Sequence, residues 1–319
     1  MLSDSLRFVA SLILAFLLGS QDNPSLHAQT DPAQVPIQVE AVRGGVHMVS
    51  GAGGNLAVFV GADGTFLVDA DYAELSSRIL EVVRNLAEDA DGDPSLRYVV
   101  NTHWHFDHTG GNGPMARAGA VLVAHENVQR MMAEDRVLES LGGRAVPAAP
   151  PEALPILTFK DRLNLSWNGD LIHVVHMPAA HSSGDAIVHF RDADVIHMGD
   201  IFFNGMYPFI DVDFGGDIRG MVLAIQEALA HTNETTLFIP GHGPLATRGD
   251  LQDYGEMLGT VRDRIGGMIA EGKTREEVVA AQPTADFDAE WAAEGAFLQP
   301  DVWVGLVFDG MIRAGGGNR

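Results

Sequence analysis

The chain has 319 residues, no cysteine, and 43 acidic against 20 basic side chains, which gives a formal net charge of -23. The composition is that of a globular protein, and it excludes disulfide scaffolds, cysteine-based zinc sites and iron–sulfur clusters. The negative charge would repel a phosphate backbone, so we expect no nucleic-acid partner. Histidine and carboxylate side chains are therefore the strong metal ligands that the chain offers.

The N-terminal segment has the pattern of a signal peptide. An apolar run over residues 8–18 follows Arg7, and a polar stretch then leads to residues 26–28. The run is too short to cross a bilayer comfortably, but Asp4 offsets the charge of Arg7, so an uncleaved anchor is the alternative. We predict a signal peptide over residues 1–28, a periplasmic or secreted protein, and no stable membrane insertion after cleavage.

The segment between residues 37 and 100 predicts a β-meander that leads into a β-α-β unit. Its β-rich runs, separated by glycine-containing turns, cover 37–42, 46–50, 56–60 and 65–68. Apolar residues at helical spacing then predict a helix over 73–86, and a compact apolar strand follows at 96–100.

A similar order of elements returns in the second half of the chain. The segment 145–155 holds four of the fifteen prolines and predicts a linker or surface loop between two halves. The predicted strands beyond it are 156–159, 163–167, 171–175, 186–190, 195–197 and 237–239, with a helix over 218–229. Two such halves predict an α/β fold, a four-layer αββα sandwich of two β-sheets flanked by helices.

Four ligand-type side chains lie within six residues directly after the strand predicted at 96–100: His103, His105, Asp107 and His108. An extended backbone would project His103 and His105 to the same side, toward one ion. A turn at 106–108 would then aim Asp107 and His108 at a second point. The two glycines that follow supply the freedom for that turn.

Three further candidates share a local pattern, a ligand-type side chain in a glycine-containing loop after an apolar strand: His181, Asp200 and His242. Rigid scaffolds commonly place ligands at such strand ends. His176 competes with His181, but His176 closes an apolar strand whereas His181 lies in a polar turn, so we favour His181. Five histidines and two aspartates for two ions leave room for water at each centre, which is typical of a catalytic site.

The His-x-His-x-Asp-His loop, followed in order by a His, an Asp and a His, resembles the metallo-β-lactamase superfamily over about residues 37–265. The resemblance implies that His103, His105 and His181 hold a first metal, that Asp107, His108 and His242 hold a second, and that Asp200 bridges the two. The chain lacks the cysteine of one β-lactamase type. Asp200 also resembles the bridging carboxylate of glyoxalase II-like thioesterases, lactonases, sulfatases and phosphodiesterases.

The predicted function is that of an exported binuclear zinc hydrolase, which uses a metal-bridging hydroxide on a small ester, thioester, lactone or amide-like substrate. Two Zn²⁺ ions are expected, with iron or manganese as alternatives. Asp107 is also the predicted catalytic group, because it can orient the nucleophile and pass a proton to the leaving group. The other hypotheses are a β-lactamase, an iron-dependent redox enzyme and a metal-stabilised binding module; the sequence gives no oligomeric state.

The predicted domains are the signal peptide at 1–28, a metallo-β-lactamase-like αββα domain at 29–265 and a C-terminal helical extension at 266–319. Trp104 and Phe106 alternate with the ligands and are predicted to face away from them, into the core. The aromatics after Asp200 predict either plain packing or an apolar wall over the metals: Phe202, Phe203, Tyr207, Phe209 and Phe214. The aromatic residues of the C-terminal tail are predicted to pack terminal helices against the sandwich, with a lid or dimer contact as the alternative: Trp291, Phe297, Trp303 and Phe308.

Five of the remaining histidines are predicted to be ordinary polar residues: His47, His125, His173, His189 and His231. His197, in the strand before Asp200, is predicted to be a core or supporting residue.

Overall fold

The computed structural model describes residues 32–292 and 298–316. The signal peptide predicted at 1–28 and the tail residue Phe297 lie outside these ranges. Within the described residues, no helix has the length and apolar character needed to span a membrane.

Fifteen strands occur in the described part of the chain. In chain order they are β1 (Gln38–Arg43), β2 (Val46–Ser50), β3 (Leu56–Phe59), β4 (Thr65–Val68), β5 (Leu96–Val100), β6 (Val121–His125), β7 (Arg136–Leu138), β8 (Arg144–Val146), β9 (Leu157–Phe159), β10 (Arg162–Trp167), β11 (Asp170–His176), β12 (Ala186–Phe190), β13 (Val195–Phe203), β14 (Leu237–His242) and β15 (Ala246–Thr247).

The α-helices of the described residues are α1 (Ser76–Asp89), α2 (Phe106–Thr109), α3 (Asn112–Arg117), α4 (Glu126–Met132), α5 (Ile218–Ala230), α6 (Arg248–Ala270), α7 (Arg275–Ala280), α8 (Asp288–Trp291) and α9 (Pro300–Gly316). Short 3-10 turns lie at Pro32–Gln34, Ala73–Leu75, Glu139–Leu141 and Pro151–Ala153.

Two mixed sheets form the middle of the molecule. The first has the order β1-β2-β3-β4-β5-β6-β9, antiparallel up to β4 and parallel from there on. The second has the order β10-β11-β12-β13-β14-β15 and is antiparallel except for the parallel pair β13/β14. Strands β7 and β8 form a separate hairpin.

Three apolar layers hold the sheets and helices together. Phe59 and Phe66 of the first sheet meet Phe190 of the second between the two sheets, at ring-centroid distances of 5.3 and 6.0 Å. Ile79 of α1 packs on the outer face of the first sheet, and residues of α5, α6 and α9 pack on the outer face of the second. The α/β sandwich predicted from the sequence is therefore confirmed.

Two boundaries differ from the prediction. The proline-rich segment does not separate the halves, because β9, which follows it, completes the first sheet; the chain changes sheet between Phe159 and Arg162. Helix α6 runs to Ala270, so the boundary predicted at residue 265 falls inside a helix. The domain limits stay a prediction.

Strands β13 and β14 are longer than the sequence indicates. β13 continues through Asp200 to Phe203, and β14 continues to His242, because the two strands pair in parallel over this length with Phe203 opposite His242. Asp200 and His242 therefore lie within strands rather than in the glycine-containing loops that the sequence analysis predicts.

Candidate metal centre

The first group of side chains converges through imidazole nitrogens. Nδ1 of His105 lies 3.1 Å from Nε2 of His103 and 2.9 Å from Nε2 of His181. Oδ2 of Asp200 lies 3.6 and 3.7 Å from the same Nε2 atoms of His103 and His181. All four residues are buried, and their ligand atoms could share one metal ion.

The second group lies beside the first. Oδ2 of Asp107 lies 3.3 Å from Nε2 of His242 and 3.7 Å from Nε2 of His108. The two Nε2 atoms are 3.4 Å apart. These three side chains form a second set that could hold an ion.

Asp200 faces both groups with different oxygens. Its Oδ2 faces His103 and His181, whereas its Oδ1 lies 3.0 Å from Nε2 of His108 and 3.4 Å from Nε2 of His242. The structure thus brings all seven predicted side chains together, in the two predicted groups, with Asp200 between them.

The local backbone explains this division of the motif. His105 directly precedes α2 in extended backbone, with φ -65° and ψ 147°, whereas His103 lies in a bend two residues earlier. The single turn of α2 then redirects Asp107 and His108 toward the second group. At Gly111, after this turn, an added Cβ would clash with the carbonyl oxygen of Ala70, so only glycine fits the close approach.

Acceptor-only partners fix the proton on two imidazoles. Nδ1 of His181 lies 2.8 Å from the carbonyl oxygen of Phe209, and a carbonyl can only accept a hydrogen bond. Nε2 of His105 lies 3.1 Å from a carboxylate oxygen of Asp211, which also accepts from the indole N–H of Trp104 at 2.9 Å. Each ring therefore turns its unprotonated nitrogen toward the first group.

Asp69 does the same for the other two histidines of the motif. It accepts from Nδ1 of His108 at 2.8 Å and from the hydroxyl of Thr102 at 2.7 Å. Because that hydroxyl donates to Asp69, its oxygen is left to accept from Nδ1 of His103, 3.1 Å away. His103 and His108 thus also direct lone pairs into the centre.

The donor set fits metal cations. In the first group, ring nitrogens of three imidazoles lie about 3 Å apart with their lone pairs directed at one point. These lone pairs repel one another unless a cation lies between them. Among the described residues, the buried Oδ1 of Asp200 has no hydrogen-bond partner. Nitrogen and carboxylate donors without thiolate suit zinc, iron or manganese.

The two groups differ in their protonation. Burial lowers the pKa of His103 well below its ordinary range and lowers the pKa of His181 to about 4, so both rings stay neutral. Burial also opposes the charge on His242, but Asp200 and Asp107 outweigh it and raise its pKa to about 9. Burial would raise the pKa of Asp107, but His108 and His242 outweigh it and lower that pKa to about 2. The second group thus attracts positive charge strongly.

Asp69 and Asp211 are supporting residues that the sequence analysis missed. Asp69 directly follows β4, whose parallel neighbour β5 leads into the ligand motif, so its position at the sheet edge is a signal that could have found it. Asp211 lies between β13 and α5 in a segment without periodic pattern, where the sequence offers no comparable signal.

The aromatic residues divide between core and centre. Trp104, only 2% exposed, and Phe106 line an apolar cavity of about 370 Å³. The ring of Phe203 stacks on His242 at 4.9 Å, and Phe209 lies 5.7 Å from His105. Phe202 packs instead against Tyr254 of α6 at 5.0 Å.

His176, which competes with His181 in the sequence, and His197 both lie outside the two ligand groups. His176 stacks on His125 at 3.8 Å and bonds through Nδ1 to the carbonyl oxygen of Asp185. His197 donates from Nε2 to the carbonyl oxygen of Asn55 at 2.9 Å, as a buried residue beside the centre.

One protein superfamily matches the part of the chain that contains the candidate centre. The family model of the metallo-beta-lactamase superfamily matches residues 50–252. The chain is 29% identical over 154 residues to a probable metallo-hydrolase of Bacillus subtilis, covering 46% of this chain and 68% of that protein. It is 28% identical over 157 residues to a hydroxyacylglutathione hydrolase of Polaromonas sp., covering 46% of this chain and 48% of that relative, so it spans about half of the relative's length.

Among solved structures, a metallo-beta-lactamase from Pontibacter korlensis superposes with a TM-score of 0.56 and 16% identity. The match covers 70% of this chain and 99% of that protein. At this identity the likeness shows a shared fold.

Proposed function

Because the chain belongs to the metallo-β-lactamase superfamily and is a metallo-hydrolase, we propose that it is an exported, binuclear zinc enzyme that hydrolyses a small ester, thioester, lactone or amide-like substrate. The observation that carries this proposal is the position of Asp200, whose two oxygens face two separate sets of ligand atoms. A single carboxylate so placed suits two ions that act on one substrate.

In this proposal His103, His105 and His181 hold the first ion and Asp107, His108 and His242 the second, with Asp200 between. Such a pair of ions, when bound, supplies a hydroxide at neutral pH and polarises the substrate carbonyl. The chain holds the imidazoles in the tautomer that the ions require, through Asp69, Asp211 and the carbonyl oxygen of Phe209.

Asp107 is the group that can move a proton. Its side chain is 17% exposed, whereas the side chains of Asp200 and His242 are 5% and 4% exposed, so solvent and substrate reach the centre beside Asp107. Its low pKa keeps it a carboxylate that accepts a hydrogen bond from the attacking water and delivers the proton to the leaving group.

The relatives favour thioesters and esters over β-lactams. The Polaromonas relative is named for the hydrolysis of hydroxyacylglutathione, whose acyl group is joined to sulfur. The chain has no cysteine to serve as the ligand of one β-lactamase type. We therefore propose acyl transfer from sulfur or oxygen to water as the reaction.

Hydrolysis of a panel of thioesters, esters, lactones and β-lactams by the metal-loaded protein tests this proposal. We expect turnover of a thioester or ester, and a loss of about 10²–10⁴-fold in kcat/KM for Asp107→Asn. His176→Ala is the matched control and should keep its activity, because His176 contacts neither ligand group. Faster turnover of β-lactams than of all esters, or an unaffected Asp107→Asn, would contradict the proposal.

Export is a separate part of the proposal and has its own test. Expression in a Gram-negative host, followed by mass spectrometry of the periplasmic protein, should show an N-terminus near residue 29. Intact residues 1–28 on protein recovered from the cytoplasm would contradict it.

A further inference from the structure

A second cavity lies on the outer face of the second sheet, beside α5 and away from the candidate metal centre. Its volume is about 240 Å³. Five basic side chains line it: Arg162, His173, His189, Arg191 and His231. The three histidines are predicted from the sequence to be ordinary polar residues, but the structure places them together in one cavity.

Strand register explains why these side chains meet. His173 of β11 lies directly opposite His189 of β12 in the antiparallel pair. Their neighbours Ile172, Val174 and Val188 point the other way, into the core between the sheets. The basic side chains therefore share the outer face, where Ile187 and Ile196 form part of an apolar floor.

The two arginines of this cavity form no ion pair with a carboxylate of the described part of the chain. Within the described residues, ten arginines form an ion pair with a carboxylate, but Arg162 and Arg191 form none. Glu227 is the one acidic residue that lines the cavity, and it lies 3.5 Å from His231 rather than at an arginine. Both arginines are exposed, and other arginines such as Arg84 also lack an ion pair with a described residue; the distinctive feature is that two of them lie beside three histidines in one cavity.

The polar atoms are also free to bind. His189 is only 8% exposed, and neither its ring nor that of His173 has a hydrogen-bond partner among the described residues. Burial, then the charges of Arg191 and His173, lowers the pKa of His189 to about 4, so the ring is neutral and offers one N–H. The ligand groups that suit a metal within the described residues lie elsewhere, so these histidines are not a third metal set.

We propose that this cavity binds a small oxyanion carried on an apolar group, such as an alkyl phosphate or alkyl carboxylate. The head group would lie between Arg162 and Arg191, where planar guanidinium groups can bind two oxygens at once. The apolar part would lie on the floor formed by Val175, Ile187 and Ile196. The site is separate from the metal centre and does not depend on the proposed reaction.

Isothermal titration calorimetry of the full, metal-loaded chain tests this site. Hexyl phosphate, hexanoate and inorganic phosphate are titrated separately at low ionic strength, to separate the head group from the apolar part. We expect hexyl phosphate to bind more tightly than inorganic phosphate, because its apolar part contacts the floor, and the Arg162→Gln/Arg191→Gln variant to weaken this binding roughly tenfold or more.

Arg84→Gln is the matched control, because Arg84 is an exposed arginine on α1 at the other sheet. It should bind as the wild type does, and the double variant should keep its metal content and melting temperature. If the double variant does not fold, each single variant should show part of the loss. No heat at millimolar anion, or equal affinity in folded variants and wild type, would overturn the proposal.

Discussion

At the scale of single residues, the candidate centre depends on groups that never face an ion. Asp69, Asp211 and the carbonyl oxygen of Phe209 each accept a hydrogen bond from the ring nitrogen of a ligand histidine that points away from the centre. Asp69 also accepts from the hydroxyl of Thr102, which in turn contacts His103. These contacts select the tautomer and orient the ring before any ion binds. Mutation of a supporting carboxylate therefore affects metal binding as well as stability.

Asp211→Ala removes the acceptor of both His105 and Trp104. We expect a loss of about 10–100-fold in metal affinity or activity, because His105 loses the bond that fixes its tautomer. Competition with a chromophoric chelator measures the affinity. Asp213→Ala, which removes the ion pair with Arg313 instead, is the control. Equal metal affinity in wild type and Asp211→Ala would contradict this role.

His189 predicts a pH dependence of stability. Its pKa falls from 6.5 to about 4 on folding, chiefly through burial, so the unfolded chain binds the proton more tightly. Stability is then lost as the pH falls from 6.5 toward 4. We expect the wild type to lose roughly 1–3 kcal/mol more unfolding free energy over this range than His189→Gln does.

Urea unfolding at several pH values measures this difference. His231→Gln, at an exposed histidine of the same cavity, is the control and should follow the wild type. Parallel stability curves for wild type and His189→Gln would contradict the pKa assignment.

At the scale of elements, most strands of the two sheets could be predicted because β-rich runs next to glycine-containing turns mark them, as in β2, which lies between Gly45 and Gly51. The hairpin β7/β8 was missed because its three-residue strands are too short for a pattern.

The division of the ligand motif into two groups could also be predicted. The chain has to turn at residues 106–108 if Asp107 and His108 are to face a second point rather than the one shared by His103 and His105. Asp211 could not be predicted, since only tertiary packing brings it to His105, 106 residues away in sequence.

The loop between β2 and β3 approaches the second ligand group too closely for a side chain. A Cβ at Gly54 would collide with the ring of His108. We expect Gly54→Ala to displace His108 and to lower the metal content by about one equivalent with little change in secondary structure. Gly267→Ala is the control, because a Cβ there meets nothing within 4 Å. Full metal content in Gly54→Ala would contradict this expectation, because it would show that the loop moves and His108 stays in place.

At the scale of the whole molecule, the C-terminal helices belong to the same core as the second sheet. The indole of Trp303 on α9 stacks on Tyr207 at 4.3 Å. In the sequence, Tyr207 lies between Asp200 and Phe209, whose carbonyl oxygen orients His181. The tail therefore supports the segment that holds part of the candidate centre, as the predicted terminal packing requires.

Trp303→Ala should cost about 3–5 kcal/mol of unfolding free energy, because the side chain is fully buried. Turnover should also fall in the folded variant, as the segment around Tyr207 loosens. Chemical denaturation and steady-state kinetics below the unfolding transition measure the two effects. Val302→Ala, 52% exposed on the same helix, is the control. Wild-type stability in Trp303→Ala would contradict this packing.

We propose that seven side chains from distant parts of the chain hold two ions. Mass-spectrometric metal analysis of protein purified without chelator tests it most directly. We expect about two equivalents per chain in the wild type, the loss of at least one in His103→Ala and in His242→Ala, and no loss in His176→Ala. Wild-type protein without stoichiometric metal, or both ligand variants with two equivalents, would contradict it.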